Sequence, residues 1–291
     1  MAPMRPSLSL EEARAEFAES LRVLADVRSE ALVRAFGRVP RERYIGPGPW
    51  KILVPPDLLT YLDTPDDDPR RLCANVLVAL DPARGLNNGE PASLAAWLDR
   101  LRLEAGDHFL HLGCGVGYYT AIAAEVVSPS GRVLAFDVDA GLAERARRNL
   151  AEYAQVEVVR GDGSELEEGA FDAIFVNAGA TRVPPHWLAA LRPGGRLLAP
   201  LTIDLPGMDV GLGSMLLVEK LPAAWSARFV SPVGVYHCAG TRTAAESTSL
   251  QQAFAKGEEG AVQQLRLDEH PTENACWLHA PGWCLSRRPL P

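Results

Sequence analysis

The stretch "HFLHLGCGVGYYTAIAAEVV", residues 108–127, reads as three consecutive pieces. A short apolar run ends in a turn carrying Gly113, Gly115 and Gly117, and an apolar helical pattern follows. A strand that is apolar throughout, rather than alternating, is covered on both faces, as in a parallel sheet. The same rhythm continues outward. "GRVLAFD" (131–137) predicts a second buried strand, and "AGLAERARRNLAEY" (140–153) a helix with a charged outer face. "VEVVRGDG" (156–163), "FDAIFVNAG" (171–179) and "GGRLLAPL" (194–201) predict three more strands. Upstream, "PASLAAWLDRLRL" (91–103) has Pro91 in the first turn of a helix whose Leu94, Trp97, Leu98 and Leu101 fall at helical spacing. The expectation is an α/β fold, a doubly wound and mainly parallel sheet, with a helical N-terminal and a mixed C-terminal extension.

Ser9 followed by Glu12 fits a capping box, and residues 10 to about 36 carry an amphipathic helical pattern. "VPRERYIGPGPW" predicts an extended surface loop, and little else between 37 and 90 promises regular structure except 70–80. Beyond the parallel core, "SMLLVEKL" (214–221) and "ARFVSPVGVY" (227–236) predict two edge strands. "TAAESTSLQQAFAKG" (243–257) predicts a helix, and "CWLHAPGWCLSRR" (276–288) a strand pair anchored by Trp277 and Trp283. The organisation expected is an extension with a lid over 1–90, a nucleotide-binding domain over 91–240 and a C-terminal extension over 241–291.

A formal net charge of −8 and the acidic run "DTPDDDP" (63–69) argue against a nucleic-acid partner. No apolar run is long enough for a membrane helix and the N-terminus lacks a signal-peptide core, so a cytoplasmic protein with no membrane partner is expected. Cys73, Cys114, Cys238, Cys276 and Cys284 follow neither a CxxC nor a Cys/His metal spacing, which predicts reduced thiols and no metal. His108 and His111, three apart on one strand, point to opposite faces.

In such sheets ligands bind at the carboxyl ends of the strands. A dinucleotide fingerprint would need a glycine at position 118, where this chain has Tyr118. S-adenosylmethionine (SAM) carries no phosphates and suits the turn better. Gly113, Gly115 and Gly117 admit its methionine and ribose portions edge-on. Asp137, twenty residues after Gly117, is placed to accept from the ribose hydroxyls, with Asp139 as a competitor for that role or as a helix cap. Asp162 and Gly163 end the third strand beside the adenine, and Tyr118 follows the turn.

With these residues the chain resembles a class I, Rossmann-like SAM-dependent methyltransferase, and in particular the protein-L-isoaspartate O-methyltransferase branch. The resemblance rests on "RVPRERYI" (38–45), "LEAGDHFLHLGCGVGYYTA" (103–121), "GDG" (161–163), "FDAIFVNAGATRVP" (171–184) and "LRPGGRLLAPL" (191–201). It implies that the segment ending at Pro91 borders the methyl group and the acceptor carboxylate, where the branch has a T-I-S-Q-P signature. Here the segment reads "LNNGEP" (86–91).

Asn88 and Glu90 in this lid, with Asn177 at the tip of the fourth strand, are the candidate acceptor-side catalytic residues. Asn amides both donate and accept, while Glu90 is suited to anchor an ammonium or act as a base. A turn with a helix cap would use the same residues. A carboxylate at position 90 would repel an incoming isoaspartyl carboxylate. The expectation is therefore methyl transfer to a small-molecule or peptide acceptor other than a damaged aspartyl residue. Two alternatives stand beside it: intramolecular cyclisation of SAM to azetidine-2-carboxylate and methylthioadenosine, and a SAM-binding protein without catalysis.

Overall fold

Ser9 caps the first helix as its spacing with Glu12 predicts, each side chain bonding the other residue's backbone. The computed structural model describes residues 8–163, 166–204 and 210–291. The N-terminal helical run divides into α1 (Leu10–Leu24) and α2 (Glu30–Arg38), the second capped by Ser29. "RERYI" is not an extended loop but a short helix, α3 (Arg41–Ile45).

The region from 46 to 90 also departs from expectation. It holds β1 (Lys51–Val54), β2 (Asp57–Asp63), β3 (Leu77–Asp81) and β4 (Leu86–Asn87), paired in the order β2-β1-β3-β4. These strands are too short to show a period of their own. Their stability comes from a small separate core of Ile45, Trp50, Leu72, Val76 and Val78.

Then follow α4 (Pro91–Arg100), β5 (His108–Leu112), α5 (Tyr118–Val127), β6 (Arg132–Asp137), α6 (Ala140–Asn149), β7 (Val156–Arg160), β8 (Phe171–Val176), α7 (Pro185–Ala189) and β9 (Leu191–Asp204). The antiparallel arm comprises β10 (Val210–Lys220) and β11 (Trp225–Tyr236), followed by α8 (Ala244–Lys256), β12 (Gln264–Arg266), β13 (Cys276–Ala280) and β14 (Trp283–Ser286). One ten-stranded sheet runs β13-β14-β12-β11-β10-β9-β8-β5-β6-β7. Strands β5 to β9 pair in parallel and the remainder antiparallel. The C-terminal extension therefore continues the central sheet, and β10 and β11 are interior strands rather than its edge.

Successive side chains of a strand face opposite sides, so each parallel strand feeds two cores. On β5, Phe109 joins Phe36, Leu98 and Ile122 beneath α2, α4 and α5, while Leu110 joins Trp187, Leu216 and Leu250 beneath α7 and α8. Chain order β5-β6-β7 runs outward from the centre, then returns to β8 on the other side of β5. The topological switch point, where ligands bind, therefore lies between the ends of β5 and β8. Among the described residues no helix is long and apolar enough to cross a membrane.

Candidate active site

The glycine turn sits at that switch point. Gly113, Gly115 and Gly117 all adopt positive φ (+79°, +57° and +90°), a region that a side chain enters at a cost. A Cβ on Gly113 would lie 3.2 Å from the Asn177 carbonyl across the β5/β8 crevice, and one on Gly117 only 2.8 Å from Leu150 Cδ1. Asp137, at the end of β6, is buried and binds this turn directly. Its Oδ2 accepts from the Gly115 N–H (2.8 Å) and its Oδ1 from the Asp139 N–H (2.9 Å). Each oxygen keeps lone-pair capacity for a diol. Burial raises the Asp137 pKa, and the two backbone donors oppose that rise.

Asp139 resolves the other way. It caps α6 through the Gly141 and Leu142 amides and pairs with Arg84 at 2.8 Å, so its oxygens are turned to the helix end and the ion pair. Gly163 has φ +69° and packs so closely that a Cβ would meet Leu112 at 2.6 Å. Asp162 beside it lies against Gly240, whose Cβ would fall 3.2 Å from Asp162 Oδ2. Left-handed glycines around a buried, backbone-held carboxylate suit the edge and diol of a SAM nucleoside.

Tyr118 is not at this turn's open side. Its ring is buried against Phe36 and Tyr44, with the Arg41 guanidinium 5.9 Å from its centre. Tyr119 is the residue that reaches the lid, donating from its hydroxyl to the Gly89 carbonyl at 3.4 Å. His111 is a core residue bonded through Nδ1 to Thr120 (2.9 Å) and stacked on Phe175, and burial pushes its pKa down to about 3. His186 lies half-buried on α7.

The lid connects the small sheet to α4. Asn87 turns the chain by accepting from the Gly89 N–H (2.8 Å), and Gly89 takes φ +76°. Asn88 hangs from β3 by its own N–H, 2.8 Å from the Val78 carbonyl. Its side chain is buried, and Nδ2 has no hydrogen-bond partner among the described residues. A buried donor left unsatisfied costs about 1–3 kcal/mol, so this amide has the capacity to take an acceptor oxygen. Asn177, at the end of β8, is fixed through its backbone to Leu112 (2.8 Å) and is half-buried opposite Gly113.

Glu90 has a different setting from the one its sequence position suggested. It occupies the N-cap of α4, with one oxygen accepting from Asn75 Nδ2 (2.9 Å) and the other from Ser93 Oγ (2.6 Å). Asn75 in turn accepts from the Ala92 N–H at 2.8 Å, capping the helix that Glu90 leaves uncapped. The positive end of a helix dipole offsets a carboxylate here. Arg41, 3 % exposed, adds a full positive charge behind the lid. Its guanidinium donates only to carbonyls, at Val76 (2.7 Å), Ala74 (3.3 Å), Leu72 (3.4 Å) and Gly89 (3.4 Å). Sequence reasoning missed the roles of Arg41 and Asn75, and of the two tyrosines after the glycine turn it named Tyr118 for the cofactor where Tyr119 is the one that reaches the lid. Arg41 stands in the quoted "RVPRERYI", but its partners lie 31 to 48 residues away and leave no local signal.

A sheet of this order, with a glycine turn at the switch point and an acidic residue ending the second strand, defines a class I methyltransferase that uses SAM. The solved structures agree on the fold. A protein-L-isoaspartate O-methyltransferase superposes with TM-score 0.59 at 20% identity, covering 88% of this chain and 72% of that one. A Plasmodium falciparum beta-aspartate methyltransferase, solved with S-adenosyl-L-homocysteine, gives TM-score 0.57 at 17% identity over 77% of this chain and 97% of its own.

Sequence relatives carry the finer assignment. A protein-L-isoaspartate O-methyltransferase of Methanopyrus kandleri is 33% identical over 72% of this chain and 82% of its own length. One of Rhodopseudomonas palustris is 35% identical over 67% and 78%. Residues 77–206 match the family described as protein-L-isoaspartate(D-aspartate) O-methyltransferase. The chain belongs to that family, and it is a SAM-dependent methyltransferase.

This overturns the expectation of an acceptor other than an isoaspartyl residue, together with its two alternatives, SAM cyclisation and non-catalytic binding. The physical error was to treat Glu90 as a bare charge facing the acceptor. Both its oxygens are held by Asn75 and Ser93 at a helix N-terminus, so the carboxylate is a tethered part of the lid.

Proposed function

We propose that this enzyme transfers the methyl group of SAM to the free carboxylate of isoaspartyl residues in peptides or proteins. The observation that carries the reading is the buried Asn88 amide in the lid, unpartnered among the described residues, in a chain whose relatives are named for that substrate. SAM supplies an electrophilic methyl group on a sulfonium. A carboxylate nucleophile arrives ionised at neutral pH, so the site has only to align it and needs no base. Asn88 Nδ2 donates to one acceptor oxygen and leaves the other to attack. Asn177 borders the same crevice from β8 and orients the methionine end or the acceptor. Glu90 acts as a positioning residue, tying the lid to α4 through Asn75 and Ser93.

On the cofactor side, Gly113, Gly115 and Gly117 admit the nucleoside edge-on, Asp137 takes the ribose hydroxyls, and Asp162 with Gly163 borders the adenine. The test uses two synthetic peptides that differ only in whether one aspartyl residue is linked through its α- or β-carboxyl. Incubated with SAM, the β-linked peptide should yield S-adenosylhomocysteine and a methyl ester, and the α-linked one neither. Equal turnover of both peptides, or of neither, would contradict the proposal.

A further inference from the structure

Far from the cleft, the C-terminal segment gathers the side chains of His270, Cys276, His279 and Cys284. One ligand atom from each lies within 4.8 Å of all the others. None of the four falls in residues 77–206, so the family match says nothing about them. In sequence they read H-x5-C-x2-H-x4-C, which is not a familiar metal spacing. The fold brings them together. The β13–β14 hairpin pairs His279 with Cys284 across its strands, and the loop between β12 and β13 folds back to deliver His270.

We propose that these four side chains bind one zinc ion, which staples the C-terminal hairpin to its preceding loop. Tetrahedral zinc with two sulfurs at about 2.3 Å and two nitrogens at about 2.0–2.1 Å has ligand–ligand edges of about 3.3–3.8 Å. Cys276 Sγ stands 3.6 Å from His270 Nε2 and 3.9 Å from His279 Nδ1. These separations need little adjustment to close around an ion.

The outer groups fit as well. His270 Nδ1 is 2.8 Å from the Asp268 carbonyl and must be the N–H donor to it, which leaves the Nε2 lone pair facing Cys276. Such a partner on the far nitrogen orients a metal-binding imidazole. The Glu273 N–H points at Cys276 Sγ (3.4 Å), a donor suited to a thiolate. Cys284 is fully buried and the His270 side chain is 6 % exposed, while Cys276 and His279 are partly buried, so the ion would sit against the hairpin with one side nearer the surface.

Two thiolates with two imidazoles select zinc over calcium or magnesium, and four protein ligands leave no open position, the mark of a structural site. Binding releases the two thiol protons to solvent and leaves a neutral complex, so no charge is buried unpaired. The staple has something to hold. The loop before β13 has little regular structure of its own, while Trp277 on β13 packs against Phe229 and Phe254 and donates to the Gly257 carbonyl at 2.8 Å. Fixing the hairpin therefore fixes one end of the ten-stranded sheet and its contact with α8.

The test uses the full chain, purified without a histidine tag or chelator. Elemental analysis should find about one zinc per chain, as four protein ligands require. Exchange with cobalt(II) should give tetrahedral d–d bands and thiolate-to-metal charge transfer. Alkylation read by mass spectrometry should find Cys276 and Cys284 protected until the metal is chelated, and Cys276→Ser and Cys284→Ser should lose the zinc. If those variants fail to fold, the cobalt spectrum and the alkylation pattern of the unaltered chain decide. Metal-free protein, with the two thiols either free or joined as a disulfide, would overturn the proposal, as would zinc retained in full by both variants.

Discussion

The glycine turn after β5 and the lid before α4 touch through Tyr119, yet they are built by different rules. The turn is local. Three left-handed glycines and one carboxylate, all within 113–137, settle its shape through backbone contacts. The lid is assembled at a distance, with Asn88 hung from β3, Glu90 held by Asn75, and Gly89 braced by Arg41 from α3. On the proposed function, residues of the turn set cofactor affinity and residues of the lid set how the acceptor is held. Substitutions should therefore separate the two ligands.

The largest effect is expected at Arg41, because it ties α3, the 72–76 loop and the lid together. Arg41→Met would leave several buried carbonyls without their donor, at a cost of about 1.5–3 kcal/mol in folding stability, measurable by denaturant unfolding. A lid displaced by about 1 Å should lower peptide methylation on the order of 100-fold. Unchanged methylation with a folded protein would break the claim that the lid is built from afar.

Next comes Asp137→Ala. Loss of charged hydrogen bonds worth about 1.5–3 kcal/mol predicts SAM binding roughly 10- to 100-fold weaker by calorimetry. The same carboxylate sets a pH dependence. Burial raises its pKa, so SAM affinity, present while it is ionised, should fall on acidification at a higher pH than an ordinary aspartate would give. Folding responds with the opposite sign. The folded state holds this proton more tightly than the unfolded chain, so acidification through that window favours folding at this residue.

Asn88→Ala should be milder, raising the KM for an isoaspartyl peptide by about tenfold, the worth of one hydrogen bond to a charged group. Smallest of all is Glu90→Gln. An amide still meets Asn75 and Ser93, and the expected change in turnover is about threefold or less, on the order of 0.5 kcal/mol. Abolished turnover would restore Glu90 as a base and undo its assignment as a positioning residue.

The same contrast explains what the sequence could tell. The parallel core from 91 to 204 was legible because each strand is a continuous apolar run and each turn carries its own glycine or cap. The place of Asp137 at the end of β6 was legible because its distance from Gly117 follows from the repeat itself. The four-stranded sheet of 51–87 was not, since strands as short as Leu86–Asn87 have no readable period and exist only by pairing with β3. Glu90 was misread for a related reason. Its identity was plain, but its partners Asn75 and Ser93 decide where its carboxylate is held. Tyr118 was placed at the cofactor by adjacency, whereas the first turn of α5 points it into the N-terminal helices.

The most direct test crosses the two regions in one experiment. SAM dissociation constants and isoaspartyl-peptide KM values would be measured side by side for the unaltered enzyme, Asp137→Ala and Asn88→Ala. The account predicts that Asp137→Ala weakens SAM while peptide KM, taken at saturating SAM, stays put, and that Asn88→Ala does the reverse. If Asn88→Ala weakened SAM as much as the peptide, or left the peptide KM unchanged, the lid would not be the acceptor's seat.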